Sequence, residues 1–378
     1  MQCGVRGHRR ASFGTWLVAL VAISLCGCSG GGSSAEFSQR QQSMLAYWQS
    51  RHDQMMASPG QVFSSNVKSL AYPAEVAQPS FVGARITGNA AYLADGVRQV
   101  EWAHTQENPA HLIKQPDGAP GAAGNPPLTA SLGQSRLAIG YWLAWKTTGN
   151  ATYVQWADDA FAALAGLQMT QRCWNAQCFD LFYYLYFLDP PNGPLGGVDF
   201  DPNQEAFHAV AATLLYFEPK SRFFHDATMA TLAKNMMNAA LVMMNASGQI
   251  PLTSAPQFTQ SFDTRYGHAT LMLVTWANHY WKDPDIDTKL KLGATWVAHS
   301  GANTLRYYPE FLDGPVPDPA ELYYRLPVLY FYGGDRTPLE AALTPLWAEW
   351  QRADITEGFM TPFNIYEDMG IPQTEYWK

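Results

Sequence analysis

Apolar positions recur at three- and four-residue intervals along most of this chain. Strict alternation over strand length is missing, apart from short stretches inside long polar segments. The pattern therefore predicts helices joined by turns and loops. Met44, Tyr47, Trp48 and Met55 mark a helix over 37–57, and others are predicted over 90–106, 131–147, 151–167, 203–217, 221–240, 264–281, 286–300, 319–332 and 337–352. The start of the 203–217 helix is written most fully. Asp201 stands where an N-cap belongs, Pro202 at the first helical position and Gln204 where it would complete a capping box. The stripe Phe207, Val210, Ala211, Leu214 and Leu215 follows.

The connections fall into two kinds. Thr87-Gly88-Asn89-Ala90-Ala91-Tyr92 is echoed 61 residues later by Thr148-Gly149-Asn150-Ala151-Thr152-Tyr153. Turns of the same role occur at Glu218-Pro219-Lys220-Ser221, Asp283-Pro284-Asp285 and Gly333-Gly334-Asp335-Arg336-Thr337-Pro338, giving steps of 61, 70, 64 and 51 residues. In the two echoes, Gly or Asn stops one helix and the next begins at once. Between these hairpins lie 107–130, 168–202, 241–263, 301–318 and 353–378, long and rich in Gly, Pro and polar groups. Such long loops inside a domain are usually functional or disordered. The alternation collects them at one end of the hairpin array, the end predicted to carry the site.

This organisation resembles the (α/α) six-hairpin toroid of many glycoside hydrolases and polysaccharide lyases. The expected fold is thus all-α, an (α/α)6-type toroid over 37–378 with long loops on one face. The resemblance implies that inner helices follow the long loops and that their N-termini ring a cleft. A tetratricopeptide solenoid fits less well, because its period is about 34 residues and its turns are evenly short.

Composition narrows the partners. A net charge of −8 with only 15% charged residues argues against a nucleic-acid surface. Aromatics make up 13% of the chain; most would serve packing, and some suit flat sugar faces. There is no P-loop, no Rossmann glycine pattern in a strand–turn–helix context, no Gly-x-Ser-x-Gly elbow and no His-Glu-x-x-His pair. No cofactor and no metal are expected.

The candidate chemistry sits at predicted helix starts on the loop face. Glycoside hydrolysis needs one carboxylic acid of raised pKa and a second carboxylate. Asp199 leads as one of them, with Asp201 beside it as capping residue or acid; Asp180, Glu205, Glu310 and Asp313 are candidates for the partner. Asn203 and Gln204 resemble the polar side chains that line the sugar site in toroid enzymes, with His208 following. Trp174, Tyr183 and Tyr184 in the longest loop offer stacking surfaces. Asp318-Pro319-Ala320-Glu321 repeats the helix-start pattern; Glu321 falls where it would cap the helix or meet substrate, and Tyr324 and Arg325, next in the helix, are substrate-binding candidates that could face either way. Arg265, Tyr266 and His268 open the 264–281 helix and suit β-elimination on a uronate: Arg or His neutralises the carboxylate, and Tyr or His removes the α-proton. Asn278-His279-Tyr280-Trp281 lies at the opposite end of that helix and reads as structural. Hydrolysis ranks slightly above elimination, since carboxylates are abundant at loop ends and basic residues are few. A non-catalytic glycan-binding or assembly protein is the reading from another class.

The N-terminus adds an address. Arg6, Arg9 and Arg10 precede an apolar run over 11–25 that is too short to span a bilayer comfortably. Leu25-Cys26-Gly27-Cys28 resembles the lipobox of bacterial lipoproteins. That resemblance implies a signal peptide over 1–27, a diacylglycerol on Cys28 and a flexible tether over 28–36, which contains Ser29-Gly30-Gly31-Gly32-Ser33-Ser34. Ser29 in the following position implies the outer membrane, facing the periplasm. Cys173 and Cys178 then lie in an oxidising compartment and are expected to pair. The expected partners are a polysaccharide or oligosaccharide, the membrane through the anchor, and exopolysaccharide secretion machinery.

Overall fold

In the computed structural model the described residues are 39–57, 74, 77–113, 131–166, 169–182, 200–254, 259, 262, 264–300, 319–337 and 361–376. They belong to one compact unit, Ser38–Lys378. The elements are α1 Gln39–Met56, α2 Gln78–Thr87, α3 Ala90–Thr105, α4 Ser131–Thr148, α5 Thr152–Ala165, β1 Met169–Trp174, β2 Gln177–Phe182, α6 Pro202–Phe217, α7 Ala227–Ala240, α8 Thr264–Trp281, α9 Pro284–His299, α10 Pro319–Tyr332, α11 Thr361–Asp368 and α12 Gln373–Tyr376. The helices α2, α4, α6, α8, α10 and α11 each pack on the next, and α11 packs back on α2. This closed ring of six inner helices is the toroid.

Inner and outer helices differ as burial requires. In α6 every residue from Pro202 to Leu215 is buried except Phe207, the signature of a helix enclosed on all sides. By contrast α3, α5, α7 and α9 bury one stripe each. The first turn of the outer layer is locked by a close approach: α1 lays the Trp48 ring over α2, where a Cβ on Gly83 would fall 2.0 Å from it.

The two echoing turns are built from the same bonds. Gly88 and Gly149 adopt φ of 70° and 71°, the left-handed conformation that costs glycine nothing. Thr87 and Thr148 hydroxyls donate to the carbonyls four residues back and accept from the amides of Asn89 and Asn150. Asn89 and Asn150 then cap the following helix by accepting from Ala91 N and Thr152 N at 2.9 and 3.1 Å. Sequence repetition is here bond-for-bond repetition.

The ring closes through a polar seam. Asn364 on α11 donates to the side-chain and main-chain oxygens of Gln78 and accepts from Arg85 at 2.6 Å. Gln78 in turn donates to the carbonyls of Ala74 and Gly140, tying in α4. Arg85 pairs with Glu367 at 2.5 Å, and the Tyr366 hydroxyl donates to the Tyr323 carbonyl of α10.

Three expectations need correction. Residues 221–226 are a turn, and α7 begins at Ala227 rather than 221. The reason is tertiary: Asp158 of α5 accepts from Ser221 Oγ and Arg222 N, holding the chain out of the helix until Asp226 caps Met229 N. The expected loop 353–378 contains α11 and α12, and α11 supplies the sixth inner helix. Residues 78–87, which the periodicity did not single out, form α2. The predicted helix over 338–352 lies outside the described residues.

Gly83→Ala is expected to lower stability by about 1–3 kcal/mol through overpacking, read from the denaturant midpoint. In a Trp48→Leu background the same change should cost much less, because the clashing ring is gone.

Candidate active site

The long-loop end of α6 is where the fold concentrates polar burial. Phe200 is fixed just before the helix by reciprocal bonds with Ser254: its amide donates to Ser254 Oγ at 2.7 Å, and its carbonyl accepts from Ser254 N at 2.9 Å. Asp201 follows in an extended conformation (φ −128°, ψ 95°), and Pro202 starts the helix with φ already set. Above this corner lies the hairpin β1–β2. Its register sets Cys173 opposite Cys178, and the two are bonded. Asn175 and Ala176 turn it with positive φ at both central positions, the twist that suits a two-residue hairpin. Trp174 and Phe179 both meet the Phe200 ring edge-on. The hairpin thus braces the approach to α6.

Asp201 is 4% exposed. The Asp201 carboxylate accepts from the side-chain amides of Asn203 at 2.6 Å and Gln204 at 3.0 Å, and the backbone amides of the same two residues also stabilise it. Burial pushes the Asp201 carboxyl up to about 7; the Gln204 bond opposes this, and the Glu205 charge adds to it. A carboxylic acid held near neutrality can deliver a proton at the pH where an ordinary aspartate is already ionised.

Glu205 and His208 continue the same face of α6 at four and seven residues from Asp201, both fully buried. His208 Nδ1 lies 3.6 Å from Glu205 Oε2, and Phe182 of the hairpin meets the imidazole edge-on. Asp201, Glu205, His208, Asn203 and Gln204, all candidates from sequence, are therefore brought into one cluster.

A second grouping forms across α8, α9 and α10. His268 is buried, with Nε2 3.3 Å from Ser300 Oγ and its ring against Trp296. Arg325, also buried, donates to the Ser300 carbonyl at 2.8 Å. Ser300 is the junction that sequence reasoning missed, since only the ring brings residue 300 beside 268 and 325. Tyr266 and Tyr324 are half-buried nearby along the same helices. Arg265 and Glu321 lie in the first turns of α8 and α10, but their side chains are outside the description. Asp180 is exposed on β2, its carbonyl accepting from Asn235 Nδ2. Asp199, Tyr183, Tyr184, Glu310, Asp313 and Cys28 lie outside the described residues.

Sequence reasoning also passed over Glu107. Its carboxylate is nearly buried and is met by the Tyr141 hydroxyl, by His104 Nδ1 at 3.1 Å and by His111 Nδ1 at 3.2 Å. His104 stacks on Trp156 at 3.8 Å. The spacing of 104, 107 and 111 was the available signal, hidden because it runs off a helix end into a loop. Among the described residues no group of three or more His, Cys, Asp or Glu is arranged to hold a metal ion.

No family model matches this sequence, and no curated protein matches it. Solved structures do. A β-1,3-1,4-glucanase from Paenibacillus sp. X4 superposes with a TM-score of 0.54 at 12% identity, covering 88% of this chain and 93% of its own. A GH8 xylanase from Teredinibacter turnerae, solved with xylohexaose, gives a TM-score of 0.48 at 14% identity over 82% of each chain. At these identities the likeness is one of fold, and it is the (α/α)6 toroid.

The raised Asp201 pKa carries a stability consequence. The folded state keeps its proton up to about 7, while an unfolded aspartate releases it near 3.9. Stability from this group is therefore full below the unfolded pKa and falls as pH rises to the folded one. Asp201→Asn, which cannot ionise, should gain in melting temperature relative to the native chain between pH 4 and pH 7, with the difference flat above. Thermal scans across that range check it.

Proposed function

We propose that this chain is a glycoside hydrolase held at the cell envelope, cleaving an extracytoplasmic polysaccharide with Asp201 as proton donor. The observation that carries the reading is a buried carboxylic acid, near pKa 7, at the N-terminus of an inner helix on the long-loop face of a closed six-hairpin ring. Protonating a glycosidic oxygen requires an acid that survives at working pH. Asn203 and Gln204 hold that carboxyl in one orientation through their amides. The second carboxylate is assigned to Asp199, two residues upstream, as the group that activates water or attacks the anomeric carbon. Trp174, braced on Phe200, is assigned a sugar-stacking role.

The substrate assignment follows from the superposed enzyme that shares the fold best among those described, which is named for β-1,3-1,4-glucan. A β-linked glucan is therefore the first substrate to offer, among neutral and acidic polysaccharides. The envelope location rests on the lipobox-like Leu25-Cys26-Gly27-Cys28 and its Gly/Ser tether. It makes Cys28 the lipidated residue and the outer membrane, facing the periplasm, the site of action. Exopolysaccharide being exported there is the natural supply of substrate.

The test is incubation of the lipid-free chain, residues 29–378, with that panel. New reducing ends without unsaturated-uronate absorbance support hydrolysis. That absorbance would move the chemistry to elimination and to Tyr266, His268 and Arg325. Retention of glycan with no cleavage leaves a binding protein. Asp201→Asn and Asp199→Asn should each lower kcat by roughly 10²–10⁴-fold with the fold intact. In the native enzyme kcat/KM should fall as pH rises through about 7, where Asp201 loses its proton.

A further inference from the structure

Several side chains on the short-turn end of the ring have no part in this chemistry. Among the described residues the exposed large hydrophobics are Leu93, Met169, Phe224, Leu292 and Phe331. Three of the five belong to this end: Leu93 in the first turn of α3, Phe224 in the α6–α7 turn and Phe331 at the close of α10. They are 36%, 41% and 37% exposed. A lone exposed apolar side chain needs no explanation. Their placement does, because they sit on the first, third and fifth hairpins of the six, spaced around one end as three feet. Lys146, Lys220 and Lys282 stand exposed on the hairpins between and beside them. Lys146 and Lys220 lie over the rings of Trp142 and Trp145, at 5.1 and 5.6 Å. Acids share this end: Asp226, Asp283 and Asp335 accept backbone amides, Glu218 accepts from Lys220 N, Asp159 holds Arg222, and Asp285 is exposed in the first turn of α9.

The direction of α1 supplies an independent observation. His52 Nε2 meets Ser80 Oγ, Gln99 reaches Met56, and Trp48 packs on Tyr92 in the first turn of α3. Residues 80 and 99 lie toward the long-loop end, and Tyr92 lies toward the short turns. So α1 runs from the short-turn end toward the cleft end. From Trp48 back to Gln39 is nine residues of helix, about 14 Å at 1.5 Å per residue. The helix therefore begins at or beyond the short turns. Only ten residues, 29–38, separate it from Cys28, a reach of at most about 36 Å.

From these two observations we infer that the short-turn end is a membrane-docking face. It rests on the lipid bilayer through Leu93, Phe224 and Phe331, with Lys146, Lys220 and Lys282 at headgroup level, and the cleft opens away from the membrane. The inference rests on the lipid tether proposed above and goes beyond it, since a tether alone leaves orientation free. Aromatic and aliphatic side chains with flanking lysines are the composition that settles at a bilayer interface. No helix among the described residues is long and apolar enough to cross the bilayer, so contact is at the surface.

The test uses the full chain, matured in a bacterial host and reconstituted on vesicles of phosphatidylethanolamine and phosphatidylglycerol carrying a lipid-borne quencher. A fluorophore is placed at Lys220→Cys on the short-turn end, or at Ser247→Cys after α7 on the long-loop end. Mass spectrometry of the Cys28 peptide reports acylation. Quenching at position 220 is expected to exceed that at 247 several-fold. The contrast should shrink when Leu93, Phe224 and Phe331 are replaced together by Ser, while the acylated protein stays vesicle-bound. Equal quenching at both positions in acylated, bound protein, or stronger quenching at 247, overturns the docking face and leaves the tether standing. An unacylated Cys28 peptide overturns the tether and the docking face with it.

Discussion

A helix buried on all sides must be given neighbours on all sides, and six such helices can satisfy one another only if the last returns to the first. The seam between α11 and α2 is where that condition is met. Gln78 and Asn364 are both buried, and both spend their amides across the junction. Leaving either amide unpaired there would cost on the order of 1–3 kcal/mol, more than an average hydrogen bond contributes. The junction is thus specified by polar matching and not only by apolar fit. Arg85 and Glu367 flank it with charge, and the Tyr366 hydroxyl extends it toward α10.

The site depends on the same closure. Enclosure of α6 is the largest cause of the raised Asp201 pKa, with the Glu205 charge adding to it. On an open helical array the start of α6 would meet water, and its carboxyl would behave as an ordinary surface aspartate. The β-hairpin then decides what remains accessible, since Trp174 and Phe179 brace Phe200 and Phe182 covers His208. The chemistry assigned to this corner is accordingly a property of the ring as a whole.

What could be read from sequence follows the range of the interaction. The Thr-Gly-Asn turns were legible because each bond in them is local, within four residues. The long helices α4, α6, α8 and α10 were legible because their periodicity is sustained. Short α2 and α11 were not, for their helicity rests on packing partners at the seam more than on their own patterns. The start of α7 was misjudged because Asp158, more than sixty residues away, holds the turn open. Asp201, Glu205 and His208 were each candidates from sequence, yet their clustering and the role of the Asp201 carboxylate were not legible. A helix-start aspartate and a buried acid can be the same residue, and only enclosure reveals the second. Ser300 between His268 and Arg325 carried no local signal at all.

Closure has one more consequence, for how the domain comes apart. A row of helical hairpins has two outermost members with a neighbour on one side only, which is why linear arrays need polar capping repeats and fray from their ends. Here each inner helix has two neighbours, and the seam joins residues 286 positions apart. The ring therefore offers no terminal hairpin from which unzipping can start. Loss of structure must begin by breaking a junction between two inner helices, and breaking any one of the six turns a closed circle into an open row.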